Sequence, residues 1–241
     1  MHLGVFGGAG RARVGGMVKL VLFDIDGTLI QTGGAGVKAF GRALAMEFQI
    51  PNGTEHLLFA GRTDTGLVRE LFAYHGIAAT DENFRRFFDC YVFWLDHLLK
   101  LHHGRRCPGV PEFLAQLAAL PVPPRLGLLT GNIRLGAEIK LRHYGLWEPF
   151  ETGAFGDDHH NRNDLARIAR QRGHRHLREE LGDEEILVIG DTPLDIECGR
   201  AINARVLAVA TGGAKLPELT AHRPTWAVAD LTEISAAEVC G

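Results

Sequence analysis

The run Val18-Lys19-Leu20-Val21-Leu22-Phe23 is nearly continuous in apolar and β-branched residues, and it stops at Asp24-Ile25-Asp26-Gly27-Thr28-Leu29. A strand buried on both faces reads this way, which points to a parallel sheet covered by helices. Open α/β sheets place their ligands just past the carboxyl ends of such strands, where Asp24 and Asp26 sit. Residues two apart point the same way, so both carboxylates can face one site if the extended geometry persists. Gly27 lets the chain turn sharply behind them. Two acids so close in a dry site repel, and they need a cation or a shared proton. A divalent metal would supply the cation, and hard Mg2+ prefers oxygen ligands.

Two further runs end alike. Leu126-Gly127-Leu128-Leu129 leads into Thr130-Gly131-Asn132, and Ile186-Leu187-Val188-Ile189 leads into Gly190-Asp191-Thr192-Pro193-Leu194-Asp195. Helical stretches separate them: Pro111 to Leu120, Ile133 to Tyr144, Asn163 to Arg172, and a helix near Asp195 to Ala201. Further strands are expected at Val206 to Val209 and near Trp226. The alternation predicts an α/β fold with a doubly wound parallel sheet.

The segment from 33 to 107 differs. After the glycine-rich hinge Gly33-Gly34-Ala35-Gly36 come three amphipathic stretches: Val37 to Phe48, Asp64 to His75, and a third that Asp81 would cap and that runs to about Leu101. His102 to Pro108 reads as the linker back. The expected organisation is therefore a core of residues 17–32 and 108–241 with a small α-helical cap inserted at 33–107, preceded by a flexible extension over 1–16.

The three strand-end motifs, in this order, resemble those of the haloacid dehalogenase-like hydrolase superfamily: the DxDGTL segment Asp24 to Leu29, the hydroxyl at Thr130, and the GDxxxD segment Gly190 to Asp195. The resemblance covers about Val18 to Thr211 and implies the same core fold with a helical cap. Among its members, phosphoglycolate phosphatase-like proteins are the nearest in general pattern. It implies that Thr130 binds a phosphoryl oxygen. It implies too that dehalogenase members lack an acid at the second position, so Asp26 favours phosphoryl transfer.

On this reading Asp24 is the nucleophile, since carboxylate attack on phosphorus splits one hard displacement into two easier ones. Asp26 is the general acid for the leaving oxygen, then the base for water. Thr130, with the backbone N–H groups of Gly131 and Asn132, and with Gly27 at the turn, would hold the phosphoryl group. Asp24, Asp26, Asp191 and Asp195 would hold Mg2+, with Asp191 a direct ligand. The superfamily usually carries a lysine between its second and last motifs. Here Asp157 to Asp164 contains none, and Arg162 is the expected substitute. Lys140 is a second candidate, expected on a solvated helix face. In the cap, Arg62 of Gly61-Arg62-Thr63-Asp64 could meet an anionic substrate, or Thr63 could simply cap a helix.

The net charge of −3 argues against a broad nucleic-acid-binding surface. No apolar segment is long enough to span a membrane. Cys90, Cys107, Cys198 and Cys240 show no metal or redox spacing, which suits reduced thiols in the cytoplasm. The pairs His102-His103 and His159-His160 read as loop residues. The expected activity is Mg2+-dependent hydrolysis of a small phosphorylated metabolite, with no protein partner evident. A sugar phosphomutase of the β-phosphoglucomutase type would share Asp24 and Asp26, and a non-catalytic binding protein would keep the fold and metal site.

Overall fold

The computed structural model describes residues 16–241. The extension expected over 1–16 lies outside the described residues, Gly16 excepted. Strand β1 (Leu20–Phe23) is followed by the two-residue β2 (Ile30–Gln31) and then by three helices, α1 (Ala35–Phe48), α2 (Asp64–His75) and α3 (Asp81–Leu101). After the two-residue β3 (Arg105–Arg106), helices and strands alternate: α4 (Val110–Ala118), β4 (Arg125–Leu129), α5 (Arg134–His143), β5 (Thr152–Ala154), α6 (Arg162–Leu177), β6 (Ile186–Gly190), α7 (Pro193–Arg200), β7 (Arg205–Val209), α8 (Leu216–Ala221), β8 (Trp226–Val228) and α9 (Ala236–Cys240).

Six of the strands form one parallel sheet in the order β5-β4-β1-β6-β7-β8. β1 is central, and its side chains alternate between two cores. Val21 and Phe23 pack with Phe113 and Leu117 on one face, and Leu20 and Leu22 pack with Leu165 and Ala169 of α6 on the other. This explains why the run read as continuously apolar. The register pairs Phe23 with Leu128 of β4 and with Ile189 of β6. The three strand-end motifs therefore converge on one edge, with successive strands added first on one side of β1 and then on the other, as at a switch point.

Helices α1 to α3 build a separate core. Phe40 meets Phe87 and Tyr91 at centroid distances of 5.2 and 4.7 Å, both edge to face. The chain enters and leaves this layer through β2 and β3, which pair antiparallel, Ile30 with Arg106 and Gln31 with Arg105.

Several local expectations need correction. Thr80, not Asp81, caps α3, its hydroxyl accepting from Asn83 N–H. Arg162 opens α6 rather than preceding it, behind an Asn161 cap. β3 lies inside the stretch read as a linker. β5 was not foreseen, because Thr-Gly-Ala carries too little apolar length to register as a strand, and α8 and α9 are too short to show a helical period. No helix among the described residues is long and apolar enough to cross a membrane. All four cysteines are free, and burial pushes the Cys107 and Cys240 thiols up to about 11 and the Cys198 thiol to about 12.

Phe87 is fully enclosed and joins α3 to α1 and α2. Phe87→Ala is expected to destabilise the protein by about 3–5 kcal/mol, the range for a buried aromatic truncation, in urea unfolding followed by circular dichroism.

Candidate active site

β1 continues into the site: Asp24 N–H donates to Ile189 O at 2.9 Å, which keeps the backbone extended as far as the first carboxylate. Gly27 then turns at φ 89°, and a Cβ there would collide with the Asp191 carboxylate. Glycine is thus required both by conformation and by the close approach of the two motifs. Thr28 donates to Asp191 Oδ1 at 3.1 Å and ties the β1 turn to the end of β6.

Asp24, Asp191 and Asp195 are all buried, and one oxygen from each lies within 4.8 Å of the others. Arg162 is the counter-cation. Its Nη2 sits 3.0 Å from Asp24 Oδ1 and also pairs with Asp195 Oδ1. Asp195 is held in turn by its other oxygen, which accepts from Thr192 N–H at 3.0 Å and the Thr192 hydroxyl at 2.6 Å. Burial pushes the Asp24 carboxyl up to about 6, against the pull of Arg162 and with the push of Asp195 and Asp26. Burial and then the neighbouring acids raise Asp191 well above the usual carboxylate range. Burial works against the Arg162 charge, but Asp195 and Asp24 outweigh it and hold the guanidinium firmly protonated. Three carboxylates facing one guanidinium leave a negative excess, and the donor set is all oxygen. That chemistry fits a hard divalent cation.

Asp26, expected among the metal ligands, is not in this cluster. Its Oδ2 accepts from Lys140 Nζ at 2.6 Å and from Asn132 Nδ2 at 2.8 Å. The expectation for Lys140 was wrong: it is 4% exposed, not solvated. The buried face of α5 runs Gly136, Ala137, Lys140, Leu141, and that spacing was a readable sign that Lys140 points inward. Thr130 is fully buried, and its oxygen accepts from Asn132 N–H and Nδ2 at 3.3 and 2.9 Å. It does not cap α5. That service comes from Asp64, whose Oδ2 accepts from Ile133 N–H at 2.9 Å.

Asp64 belongs to a seam that sequence reasoning missed. The segment from Gly61 to Thr65, which opens α2, is bonded to the strand-end loops along its length. Asp64 N–H donates to Gly131 O at 2.7 Å, Thr63 Oγ1 to His160 O at 2.8 Å, Thr65 Oγ1 to Gly156 O at 2.5 Å, and Arg162 Nη1 to Gly61 O at 3.2 Å. The approach is close enough that a Cβ on Gly131 would meet the Arg62 carbonyl. Beneath the seam lies a cavity of about 350 Å³. Asp24, Asp26, Asn132, Lys140 and Arg162 form its polar wall, while Phe40, Phe59, Leu67 and Tyr91 form the apolar one. Gly27, Gly131 and Asp191 also line it, but Thr130 and Asp195 do not. Arg62 reaches the cavity, yet its guanidinium pairs with Glu70 at 2.5 Å. Thr63 does cap α2, accepting from Gly66 N–H.

A family model described as haloacid dehalogenase-like hydrolase matches residues 21–209. No curated protein matches the chain. Among solved structures, the chain is similar to CbbY from Rhodobacter sphaeroides in complex with phosphate, at 17% identity and a TM-score of 0.72 over 92% of this chain and 99% of that one. It is similar to a predicted phosphoglycolate phosphatase from Haemophilus somnus, at 19% identity and a TM-score of 0.68 over 90% and 96%. A hydrolase from Pseudomonas syringae aligns at 22% identity and a TM-score of 0.66 over 91% and 100%. At these identities the structural likeness concerns the fold alone.

Burial pushes the Asp64 carboxyl up to about 7, with Lys140 and the Ile133 N–H pulling the other way. A raised carboxyl stabilises the fold fully below its unfolded value, and that contribution is lost as pH rises through about 7. Asparagine keeps an acceptor for Ile133 N–H without the charge. In thermal unfolding, Asp64→Asn should therefore gain on wild type between pH 5 and pH 8, by about 1 kcal/mol or more.

Proposed function

The chain belongs to the haloacid dehalogenase-like hydrolase family, and on that premise we propose that it is a Mg2+-dependent phosphatase acting on a small phosphorylated metabolite through an aspartyl-phosphate intermediate. The observation that carries the reading is the buried Asp24 carboxylate, paired with Arg162 and grouped with Asp191 and Asp195, with Asp24 and Asp191 lining the cavity. Asp24 attacks phosphorus. The bond to the ester oxygen breaks, and that oxygen takes the proton of Asp26, which enters the step as the carboxylic acid and leaves it as the carboxylate. Asp26 next removes a proton from water, which attacks the phosphorus of the aspartyl phosphate, and inorganic phosphate leaves with Asp24 restored.

Arg162 serves as the cation that the family usually draws from a lysine. It lines the cavity beside Asp24, where its charge would face a phosphoryl oxygen. The Gly131 N–H, on the loop that lines the cavity, would hold a second phosphoryl oxygen, and Thr130 behind it fixes that loop by accepting from Asn132 N–H and Nδ2. Asp24, Asp191 and Asp195 would hold Mg2+, which neutralises charge on the phosphoryl oxygens. Residues 33–107 act as the cap over a core of 17–32 and 108–241, excluding water before attack. The cavity is at the small end of the range for ligand sites, which supports a compact substrate. Four free thiols support a reducing, cytoplasmic setting.

The test is phosphate release from a panel of phosphorylated metabolites and aryl phosphates, with and without Mg2+. Asp24→Asn should lower kcat by at least about 1000-fold while the fold is retained. Isomerised sugar phosphate without free phosphate would instead indicate a mutase. Metal binding needs the carboxylates ionised, and Asp24 holds its proton up to about pH 6. Mg2+ should therefore raise the melting temperature more at pH 8 than at pH 5, and Asp191→Asn should abolish that difference.

A further inference from the structure

We propose that Lys140 is a positioning residue for proton transfer, fixing Asp26 so that a single oxygen, Oδ1, faces the leaving group. The proposal rests on the phosphatase reading of the site. Lys140 projects from the buried face of α5, and its ammonium has two partners, Asp26 Oδ2 at 2.6 Å and Asn132 Oδ1 at 2.5 Å. Asn132 closes the triangle, its Nδ2 donating to the same Asp26 Oδ2 at 2.8 Å and to Thr130 Oγ1 at 2.9 Å. Two donors thus converge on one carboxylate oxygen. Among the described residues none reaches the other, although the Asp26 side chain is 41% exposed and lines the cavity.

A carboxylate free to rotate offers its two oxygens in many poses. One anchored through Oδ2 presents Oδ1 in a fixed direction, and proton transfer depends on that geometry. The ammonium also sits where it is costly for a lysine to be. It is nearly enclosed, and α1 crosses it so closely that a Cβ on Gly36 would lie 3.5 Å from Nζ. A buried ammonium is retained only where its partners are well placed. The plain alternative is that Lys140 merely secures the Asn132 loop, and the two roles separate in the leaving-group dependence.

Proton donation matters for a poor leaving group, such as an alkoxide, and hardly at all for dinitrophenolate. The experiment measures kcat/KM for a series of alkyl and aryl phosphates with wild type, Lys140→Met and Lys140→Gln, each checked for fold by circular dichroism and melting. Expected is a loss of about 10- to 100-fold for alkyl phosphates and under about 3-fold for dinitrophenyl phosphate, so that the dependence on leaving-group basicity steepens. In an Asp26→Asn background, adding Lys140→Met should then cost almost nothing more. An equal loss across the series, no loss at all, or full additivity with Asp26→Asn would overturn the proposal while leaving the phosphatase intact. No phosphate release by folded wild type with Mg2+ would instead sink the phosphatase reading and this inference with it.

Discussion

Negative charge gathered at one end of a parallel sheet is the constraint around which this molecule is arranged. Asp24 comes from the end of β1, Asp191 from just past β6 and Asp195 from the first turn of α7, and the register that pairs Phe23 with Ile189 brings them within reach of one another. Such a cluster is tolerable only with compensating cations and hydrogen bonds. Arg162 supplies the compensation by lying between Asp24 and Asp195, and α6 packs against the sheet with its first residue at that point. Lys140 does the same for Asp26 from α5. Each acid of the Asp24–Asp26 pair therefore has its own cation, an arginine on one side and a lysine on the other.

The division has a chemical sense. A planar guanidinium can bridge two carboxylates and still face a phosphoryl group, whereas an ammonium is a compact charge that can be buried against a single oxygen. The apolar wall contributed by Phe40, Phe59, Leu67 and Tyr91 lowers the dielectric around both pairs and strengthens them. Burial also raises the Asp24 carboxyl to about 6. Packing and electrostatics are here one arrangement.

Much of this was legible in the residue order. The strand ends announced themselves because apolar runs and the acids that follow them are local signals, and Asp24, Asp191 and Asp195 were found from them. Arg162 was found from its place in the chain. What escaped was tertiary. Lys140 lies 114 positions from Asp26 and was judged by its charge, although its neighbours on α5 marked the inner face. Asp64 lies 69 positions from Ile133, and an acid after a threonine looks like an ordinary helix start until the carboxylate is seen to cap a different helix. β5 escaped because three small residues become a strand only through the neighbour they pair with, Gly127 to Leu129.

The pairing of β2 with β3 bears on how such a protein can change over generations. The chain departs for the helical layer and returns from it at adjacent positions, Gln31 beside Arg105. Whatever lies between closes a loop whose ends are already held together, so its length adds little entropy to the core. A different insertion could be spliced at this doorway without shifting the register of β1, β4 or β6. The helical layer and the sheet that carries it are in that sense separately heritable, joined at a ribbon two residues long.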